Sequence, residues 1–135
     1  MNIYFAGSIR GGRSDQMLYM KMINYMKSKG HIVLTEHVGN MSLSLKENGR
    51  DKDSEIYTQD ISFMKQSDIL IAECTTPSLG VGYELAFSEK LNIKSYIFYN
   101  KSKTELSAML TGNPFYTIYP YKDEDEIFKI LDQIL

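Results

Sequence analysis

The fold of this chain is decided by the run Ile69-Leu70-Ile71-Ala72. Four consecutive apolar residues, without the alternation of a strand that has one wet face, are typical of a strand buried on both faces. Such strands occur in parallel sheets that carry helices on both sides. We therefore expect the rest of the chain to alternate between strands and helices.

The segments on either side of this run do alternate. Further strands are predicted over residues 2–6, 32–34, 95–99 and 116–119, the first of them stopping at Gly7. Helices are predicted over 14–27 (with Ser14 as N-cap), 54–66, 80–91 and 104–110. A closing helix is predicted from the acidic first turn 123–126 and from the apolar stripe Ile127, Ile130, Leu131 and Ile134.

Five strands alternating with five helices predict one α/β domain over residues 1–135. Its fold class is a doubly wound, five-stranded parallel sheet, Rossmann-like or flavodoxin-like, with helices on both faces. Ligands of such sheets bind beyond the carboxyl ends of the strands, where the strand order reverses. The loops 7–13 and 73–79 should therefore hold the site, and the long polar loop 40–52 has the length of a functional lid.

Composition excludes several classes of protein. The chain has 135 residues, 43% of them hydrophobic and 24% charged, as in ordinary globular proteins. A net charge of −2 argues against binding a nucleic acid polymer. We expect no membrane span and no signal peptide, because no apolar run approaches the required length. The single cysteine, Cys74, excludes an intramolecular disulfide and suits the cytoplasm. No metal and no other cofactor is expected, because His31 and His37 lack ligand spacing.

The loop Gly7-Ser8-Ile9-Arg10-Gly11-Gly12-Arg13 has the composition of an anion-binding turn. Its glycines let backbone N–H groups approach a ligand, and the following helix points its positive end the same way. Arg10 and Arg13 are two of the three arginines in the chain, and arginine binds phosphate in a bidentate manner. The glycine spacing matches neither the dinucleotide nor the P-loop fingerprint. The alternative is a tight turn with solvated arginines.

Two acids are candidates for chemistry. Glu84 is predicted in the first turn of the helix that opens at Gly80, where the helix dipole would keep a nucleophilic carboxylate ionised. Asp60 lies midway along the helix that precedes the third strand, and the fold should bring it towards the same crevice. Two carboxylates beside a sugar can divide into nucleophile and proton donor. The alternatives are a common first-turn acid and a solvated helix-surface acid.

Three further features have two interpretations each. Tyr4 could orient a catalytic carboxylate or be a core aromatic residue of its strand. Ser78 could donate to phosphate or merely cap the helix that follows. A Cys–His nucleophile of Cys74 and His37 is conceivable, but the apolar run before Cys74 favours a small buried residue.

With these residues in view, the chain resembles the 2′-deoxynucleoside 5′-phosphate N-hydrolases, within the wider nucleoside 2-deoxyribosyltransferase-like superfamily. The most specific parts are Tyr4-Phe5-Ala6-Gly7-Ser8-Ile9-Arg10-Gly11-Gly12-Arg13 and Pro77-Ser78-Leu79-Gly80-Val81-Gly82-Tyr83-Glu84-Leu85. Shorter matches are Leu34-Thr35-Glu36-His37-Val38, Gln59-Asp60 and Leu106-Ser107-Ala108-Met109.

This resemblance implies cleavage of the N-glycosidic bond of a nucleoside 5′-monophosphate, giving a free base and a sugar phosphate. It implies that Glu84 is the nucleophile, that Asp60 protonates the leaving base and that Tyr4 positions the carboxylate. It implies substrate contacts for Gly7, Ser8, Ile9, Arg10, Gly11, Gly12, Arg13, His37, Ser78 and Gly80. It also implies a homodimer in which Ser107, Ala108 and Met109 complete the neighbouring subunit's phosphate site.

Two other functions compete with the hydrolase. A nucleoside deoxyribosyltransferase would form the same covalent intermediate but pass the sugar to a second base, and it would take nucleosides without phosphate. The paired arginines and Ser107-Ala108-Met109 favour a phosphorylated substrate. A nucleotide-binding module without catalysis is the third reading, and the set of Tyr4, Asp60 and Glu84 argues against it.

Overall fold

A single parallel sheet runs through the computed structural model, which describes residues 1–9, 12–35 and 52–135. Its strands in the described part are β1 (Asn2–Gly7), β2 (Ile32–Val33), β3 (Ile69–Glu73), β4 (Lys94–Asn100) and β5 (Thr117–Tyr121). The strand order is β2-β1-β3-β4-β5, and each neighbouring pair is parallel. The predicted doubly wound sheet is confirmed, in the flavodoxin-like order whose reversal lies between β1 and β3.

Helices cover both faces of this sheet. Those in the described residues are α1 (Gly12–Ser28), α2 (Asp53–Gln66), α3 (Leu79–Lys90), α4 (Ala108–Thr111) and α5 (Glu124–Ile134). Buried residues of α1 and α5 form one core cluster with the sheet. Buried residues of α2 and α3 form the other. We call these two sides the α1/α5 face and the α2/α3 face.

The alternation of side chains along the central strands assigns residues to the two faces. Ile3 and Phe5 of β1 enter the α1/α5 cluster, whereas Tyr4 and Ala6 enter the α2/α3 cluster. Residues 69–72 of β3 divide in the same way, and all four are buried. The apolar run that predicted a doubly covered strand is thus explained by burial on both sides.

Several element boundaries differ from the prediction. Ser14 is not an N-cap, because α1 begins at Gly12, whose φ of 85° suits glycine. The helix predicted over 104–110 is only α4, because Ser107 has an extended ψ of 140° and its side chain caps the helix that follows. Strand β2 ends one residue early at Val33, and β5 lies one to two residues later than predicted.

Other boundaries are close to the expected ones. The acidic run 123–126 does form the cap and first turn of α5, with Asp123 accepting from the Glu126 N–H at 3.1 Å. Helix α3 begins at Leu79, one residue before the predicted start, because Ser78 caps it. Apart from Lys52, the predicted lid 40–52 lies outside the described residues.

Candidate active site

A cleft of about 630 Å³ lies beyond the carboxyl ends of β1 and β3, between α2 and α3. It occupies the strand-order reversal at which the fold predicts a ligand. Three segments contribute its walls: the turn after β1, one side of α2, and the start of α3 with the loop before it. The lining residues are Gly7, Ser8, Ile9, Asp53, Ile56, Tyr57, Asp60, Pro77, Ser78, Leu79, Gly80, Val81 and Glu84.

Tyr4 and Glu84 form a pair at the base of this cleft. The Tyr4 hydroxyl donates a hydrogen bond to Oε2 of Glu84, from a side chain that is 1% exposed. Burial, together with the nearby charges of Glu84 and Asp60, raises the pKa of Tyr4 far above its usual range. The phenol therefore keeps its proton at neutral pH and acts as a constant donor to the carboxylate. The structure thus gives Tyr4 a place in the core and a contact with the site.

Asp60 enters the same cleft from α2. Asp53, Ile56, Tyr57 and Asp60 all line the cleft, and their spacing places them on one side of a helix. Oδ1 of Asp60 is shielded from solvent. The charge of the Asp60 carboxylate also helps to raise the pKa of the Tyr4 hydroxyl. Both predicted carboxylates therefore face one space, and Asp60 is not a solvated helix-surface residue.

The first-turn argument for Glu84 is wrong. Because α3 begins at Leu79, Glu84 lies in its second turn, and the first turn contains no acidic residue. The influence of a helix dipole fades beyond the first turn. What acts on the Glu84 carboxylate instead is the Tyr4 hydroxyl, donated from the neighbouring strand β1.

The turn after β1 is only partly described. Gly7, Ser8 and Ile9 line the cleft. A Cβ atom on Gly7 would lie 2.7 Å from the Tyr19 ring, so glycine is required there for packing. Gly12 begins α1 with a positive φ. Arg10, Gly11 and His37, together with the side chain of Arg13, lie outside the described residues, so their predicted substrate contacts stay predictions.

Ser78 caps α3 and also lines the cleft. Its Oγ accepts a hydrogen bond from the Val81 N–H at 3.2 Å and so caps α3. The residue also lines the cleft, as does Gly80. A serine hydroxyl that accepts one hydrogen bond still has its own proton to donate. Capping is therefore compatible with donation to a phosphate.

Ser107, Ala108 and Met109 do not line the cleft that contains Glu84. Ser107 caps α4 through the Met109 N–H at 3.2 Å. Ser107 and Met109 line a second cleft of about 620 Å³, between α3 and the segment that carries α4. Met109 is 81% exposed, and Leu79, which lines both clefts, is 96% exposed.

Cys74 has the properties of an unreactive thiol. Burial, with the nearby carboxylates of Glu73 and Glu84, raises its pKa to about 12. A thiolate nucleophile requires the opposite shift. His37, the proposed partner of Cys74, lies outside the described residues, so the Cys–His pairing stays a prediction. In the described ranges no group of three or more His, Cys, Asp or Glu side chains could hold a metal ion. The helices described are also too short or too polar to cross a membrane.

Sequence reasoning missed part of the cleft wall. Asp53, Ile56 and Tyr57 line it, although only Asp60 of α2 was singled out. The signal was available, because residues 53, 56, 57 and 60 have the i, i+3, i+4, i+7 spacing of one helix face. Once Asp60 is assigned to the site, the same periodicity assigns the other three.

Comparisons with known proteins identify the family of the chain. The sequence profile described as nucleoside 2-deoxyribosyltransferase matches residues 3–118. A 5-hydroxymethyl-dUMP N-hydrolase of Danio rerio is 42% identical, with 98% of this chain and 94% of the relative covered. A protein of the same name from Rattus norvegicus is 39% identical, over 98% and 83%. The solved structure of a Clostridium botulinum CMP N-glycosidase matches with a TM-score of 0.70 at 16% identity, over 98% and 99%.

The fold and the site first define a class, a doubly wound α/β protein with a tyrosine-held glutamate and an aspartate at the strand-order reversal. The matched profile and the relatives define the family. The chain belongs to the nucleoside 2-deoxyribosyltransferase family, and within it to the 2′-deoxynucleoside 5′-phosphate N-hydrolases.

Proposed function

We propose that this chain hydrolyses the N-glycosidic bond of (2′-deoxy)nucleoside 5′-monophosphates to a free base and (deoxy)ribose 5-phosphate. The observation that carries this proposal is the placement of Glu84, held by Tyr4, and of Asp60 in one cleft. The names of the relatives support it, since they include N-hydrolases of a nucleoside monophosphate.

In the first step, Glu84 attacks the anomeric carbon as the bond to the base breaks. The Tyr4 hydroxyl, which donates to Oε2, holds the carboxylate in place for this attack. Positive charge builds on the sugar in the transition state, and the carboxylate stabilises that charge before it captures the carbon as an ester. Asp60, acting as the acid, gives its proton to the leaving base, which takes the bonding electron pair.

In the second step, water hydrolyses the glycosyl ester. Asp60, now ionised, takes a proton from the water as its oxygen attacks the anomeric carbon. The ester bond breaks, Glu84 regains its carboxylate, and Tyr4 again donates to it. The sugar phosphate then leaves, and Asp60 is protonated for the next turnover.

We assign binding of the 5′-phosphate to the turn 7–13 and to Ser78, with Gly80 and His37 among the further contacts. Gly7, Ser8, Ile9, Ser78 and Gly80 line the cleft, which supports this part of the proposal. Phosphate held away from the breaking bond would orient the anomeric carbon towards Glu84. We also place the reaction in the cytoplasm, in keeping with the single cysteine.

We further propose a homodimer in which residues 107–109 complete the neighbouring subunit's phosphate site. This arrangement is supported by the exposure of Met109 and by the absence of residues 107–109 from the described lining of the cleft that contains Glu84. A mixture of two inactive variants, Glu84→Ala and a Ser107→Ala/Met109→Ala double variant, should then recover activity through hybrid dimers. A monomer in sedimentation, or no recovery after subunit exchange, would refute the dimeric site.

The first experiment is base release from ribo- and deoxyribonucleoside 5′-monophosphates and from the matching nucleosides, followed by chromatography. Release from monophosphates alone supports the hydrolase and gives its base and sugar preference. Exchange of bases between unphosphorylated nucleosides would assign the chain to the transferases instead. Binding of monophosphates without base release would leave a non-catalytic nucleotide-binding module.

A further inference from the structure

Glu73 is a buried carboxylate outside the cleft. It is the last residue of β3, is 1% exposed, and pairs in the sheet with Gly7 of β1 and Phe98 of β4. Its side chain follows Ile69 and Ile71 onto the α1/α5 face. Glu73 therefore lies at the carboxyl end of the strands, near which the cleft with Glu84 is found. Its side chain is on the face of the sheet opposite to Tyr4.

Three hydrogen bonds from the described residues reach this carboxylate. The Thr75 N–H donates to Oε1 at 3.1 Å, and the Thr75 hydroxyl donates to Oε2 at 2.6 Å. The Tyr121 hydroxyl of β5 donates to Oε2 at 2.6 Å. Thr75 Oγ1 also accepts from the Asn100 N–H of β4 at 2.9 Å. Thr75 is thus hydrogen-bonded to the carboxyl ends of β3 and β4, and Glu73 links it to Tyr121 of β5.

The next residues of the loop connect this anchor to the cleft. The Thr76 hydroxyl donates to Asp15 of α1 at 2.5 Å, which ties the loop to the helix that follows the β1 turn. Pro77 and Ser78 then line the cleft, and Ser78 caps α3. Four residues, 75–78, therefore connect the hydrogen-bonded Thr75 to the wall of the cleft.

Stability alone does not account for a carboxylate here. Removing a carboxylate from water costs free energy, and apolar replacement of buried charged groups is often neutral or stabilising. The described part of the chain offers Glu73 hydrogen-bond donors but no ion pair. Burial raises the pKa of Glu73, which is the mark of that cost. The arrangement is explained if the three acceptor contacts serve to fix the loop.

We propose that Glu73 is a positioning residue, which holds the 74–78 loop so that Ser78 and the start of α3 meet the substrate. This inference rests on the proposed function, because it assigns Ser78 to substrate binding. Glu73 does not touch the reacting atoms. Its loss should weaken substrate binding more than the chemical step, since Tyr4 holds Glu84 independently from β1.

Steady-state kinetics of two Glu73 variants test the proposal. Glu73→Leu removes all three acceptor contacts and should raise KM for a monophosphate by about tenfold, with kcat within about threefold of wild type, the scale of a lost hydrogen bond. Glu73→Gln retains one carbonyl acceptor and should recover part of the KM. Tyr121→Phe, which deletes one donor, should raise KM by about threefold.

Ser95→Ala is the matched control for a purely structural effect. Ser95 is 0% exposed and lies near the start of β4, at the amino end of the strands and so at the end opposite to the cleft. It is hydrogen-bonded to Ser88 and to the Ile93 carbonyl. Its removal should lower the melting temperature while leaving KM unchanged. If Glu73→Leu behaves in the same way, Glu73 is structural and the proposal is overturned.

Amide hydrogen exchange measures how firmly the loop is held, independently of any catalytic activity. In Glu73→Leu the Thr75 and Val81 amides should exchange faster, because the first loses its acceptor and the second depends on Ser78. An inactive wild-type protein would end the proposed hydrolysis, whereas unchanged exchange at both amides would end the positioning role of Glu73. The two failures are therefore distinguishable.

Discussion

Each face of the sheet has a tyrosine hydroxyl that donates to a glutamate near the carboxyl ends of the strands. On the α2/α3 face Tyr4 donates to Glu84, and on the α1/α5 face Tyr121 donates to Glu73. Glu84 lines a cleft of about 630 Å³. Glu73 is 1% exposed and accepts hydrogen bonds from Thr75 and Tyr121. A tyrosine–glutamate pair is therefore no sign of catalysis by itself. What distinguishes the Glu84 pair from the Glu73 pair is the open cleft beside its carboxylate.

The tyrosines of both pairs are protonated donors. Burial, followed by the charge of the nearby glutamate, raises the pKa of Tyr4 and of Tyr121. The second difference between the pairs is the second acid. Asp60 lies beside Tyr4 and Glu84 at the cleft. The acid whose charge acts on Glu73 in the described residues is Asp15, which accepts a hydrogen bond from Thr76.

Removing the Glu84 carboxylate should have the largest effect. Glu84→Ala should lower kcat by roughly 10³-fold or more, because it removes the nucleophile of the proposed covalent intermediate. Nucleotide affinity measured by calorimetry should change little. Glu73→Gln, which alters the carboxylate of the other pair, should keep kcat near that of wild type. Full activity of Glu84→Ala, or equal inactivity of both variants, would erase the distinction between the two faces.

Asp60→Asn should have the next largest effect. An amide has no acidic proton for the leaving base, and loss of general acid catalysis typically costs 10²–10⁴-fold. A nitrophenyl glycoside 5-phosphate needs no proton on its leaving group, so its single-turnover nitrophenol release should fall by less than about tenfold. Equal losses for both substrates would show that Asp60 acts on something other than the departing base.

Tyr4→Phe should cost less than either acid. It removes one hydrogen bond to a charged group, worth about 1.5–3 kcal/mol, and so should lower kcat by roughly tenfold to a hundredfold. Tyr121→Phe is the matched variant of the other pair, and its effect should appear in KM instead. A kcat loss of the same size in Tyr121→Phe would mean that both hydroxyls support the chemical step.

The fold could be predicted because its signals are local. The apolar run 69–72 and the alternating helices indicate a doubly wound sheet, and the strand-order reversal then locates the cleft. The positions of Glu84 and Asp60 follow from the same argument, although Glu84 is the sixth residue of α3 and so lies in its second turn, and α3 starts one residue earlier than predicted. A one-residue shift in a helix start is beyond the precision of sequence patterns.

Local sequence patterns left the hydrogen bonds of the site open, and only the family resemblance implied that Tyr4 positions the carboxylate of Glu84. Whether Tyr4 contacts Glu84 depends on the rotamers of two side chains that are 80 residues apart in sequence. Glu73 reads as the polar end of a strand, and nothing local shows that Tyr121, 48 residues later, donates to it. Contacts between distant segments depend on tertiary packing, which the period of an element does not contain.

The pH dependence of stability gives the smallest and most direct test of the buried pair. Burial raises the pKa of Glu73 above its ordinary value of 4.5, and the charge of Asp15 on α1 acts in the same direction. Hydrogen bonds from Thr75 and Tyr121 oppose the shift. The Tyr19 hydroxyl of α1 and the Cys74 thiol are further titratable groups that interact with Glu73 in the described residues. The folded protein therefore holds a proton on Glu73 at pH values where the unfolded chain has released it.

The free energy of unfolding should then decrease as pH rises from about 4.5 through the raised pKa of Glu73, by at most about 1.4 kcal/mol per pH unit. Glu73→Gln cannot titrate, so its stability should lack this component. Urea unfolding of both proteins at a series of pH values measures the difference, in which all other groups cancel. A difference that falls with rising pH supports the buried carboxylate, whereas parallel curves would place Glu73 in contact with water and remove the contrast with Glu84.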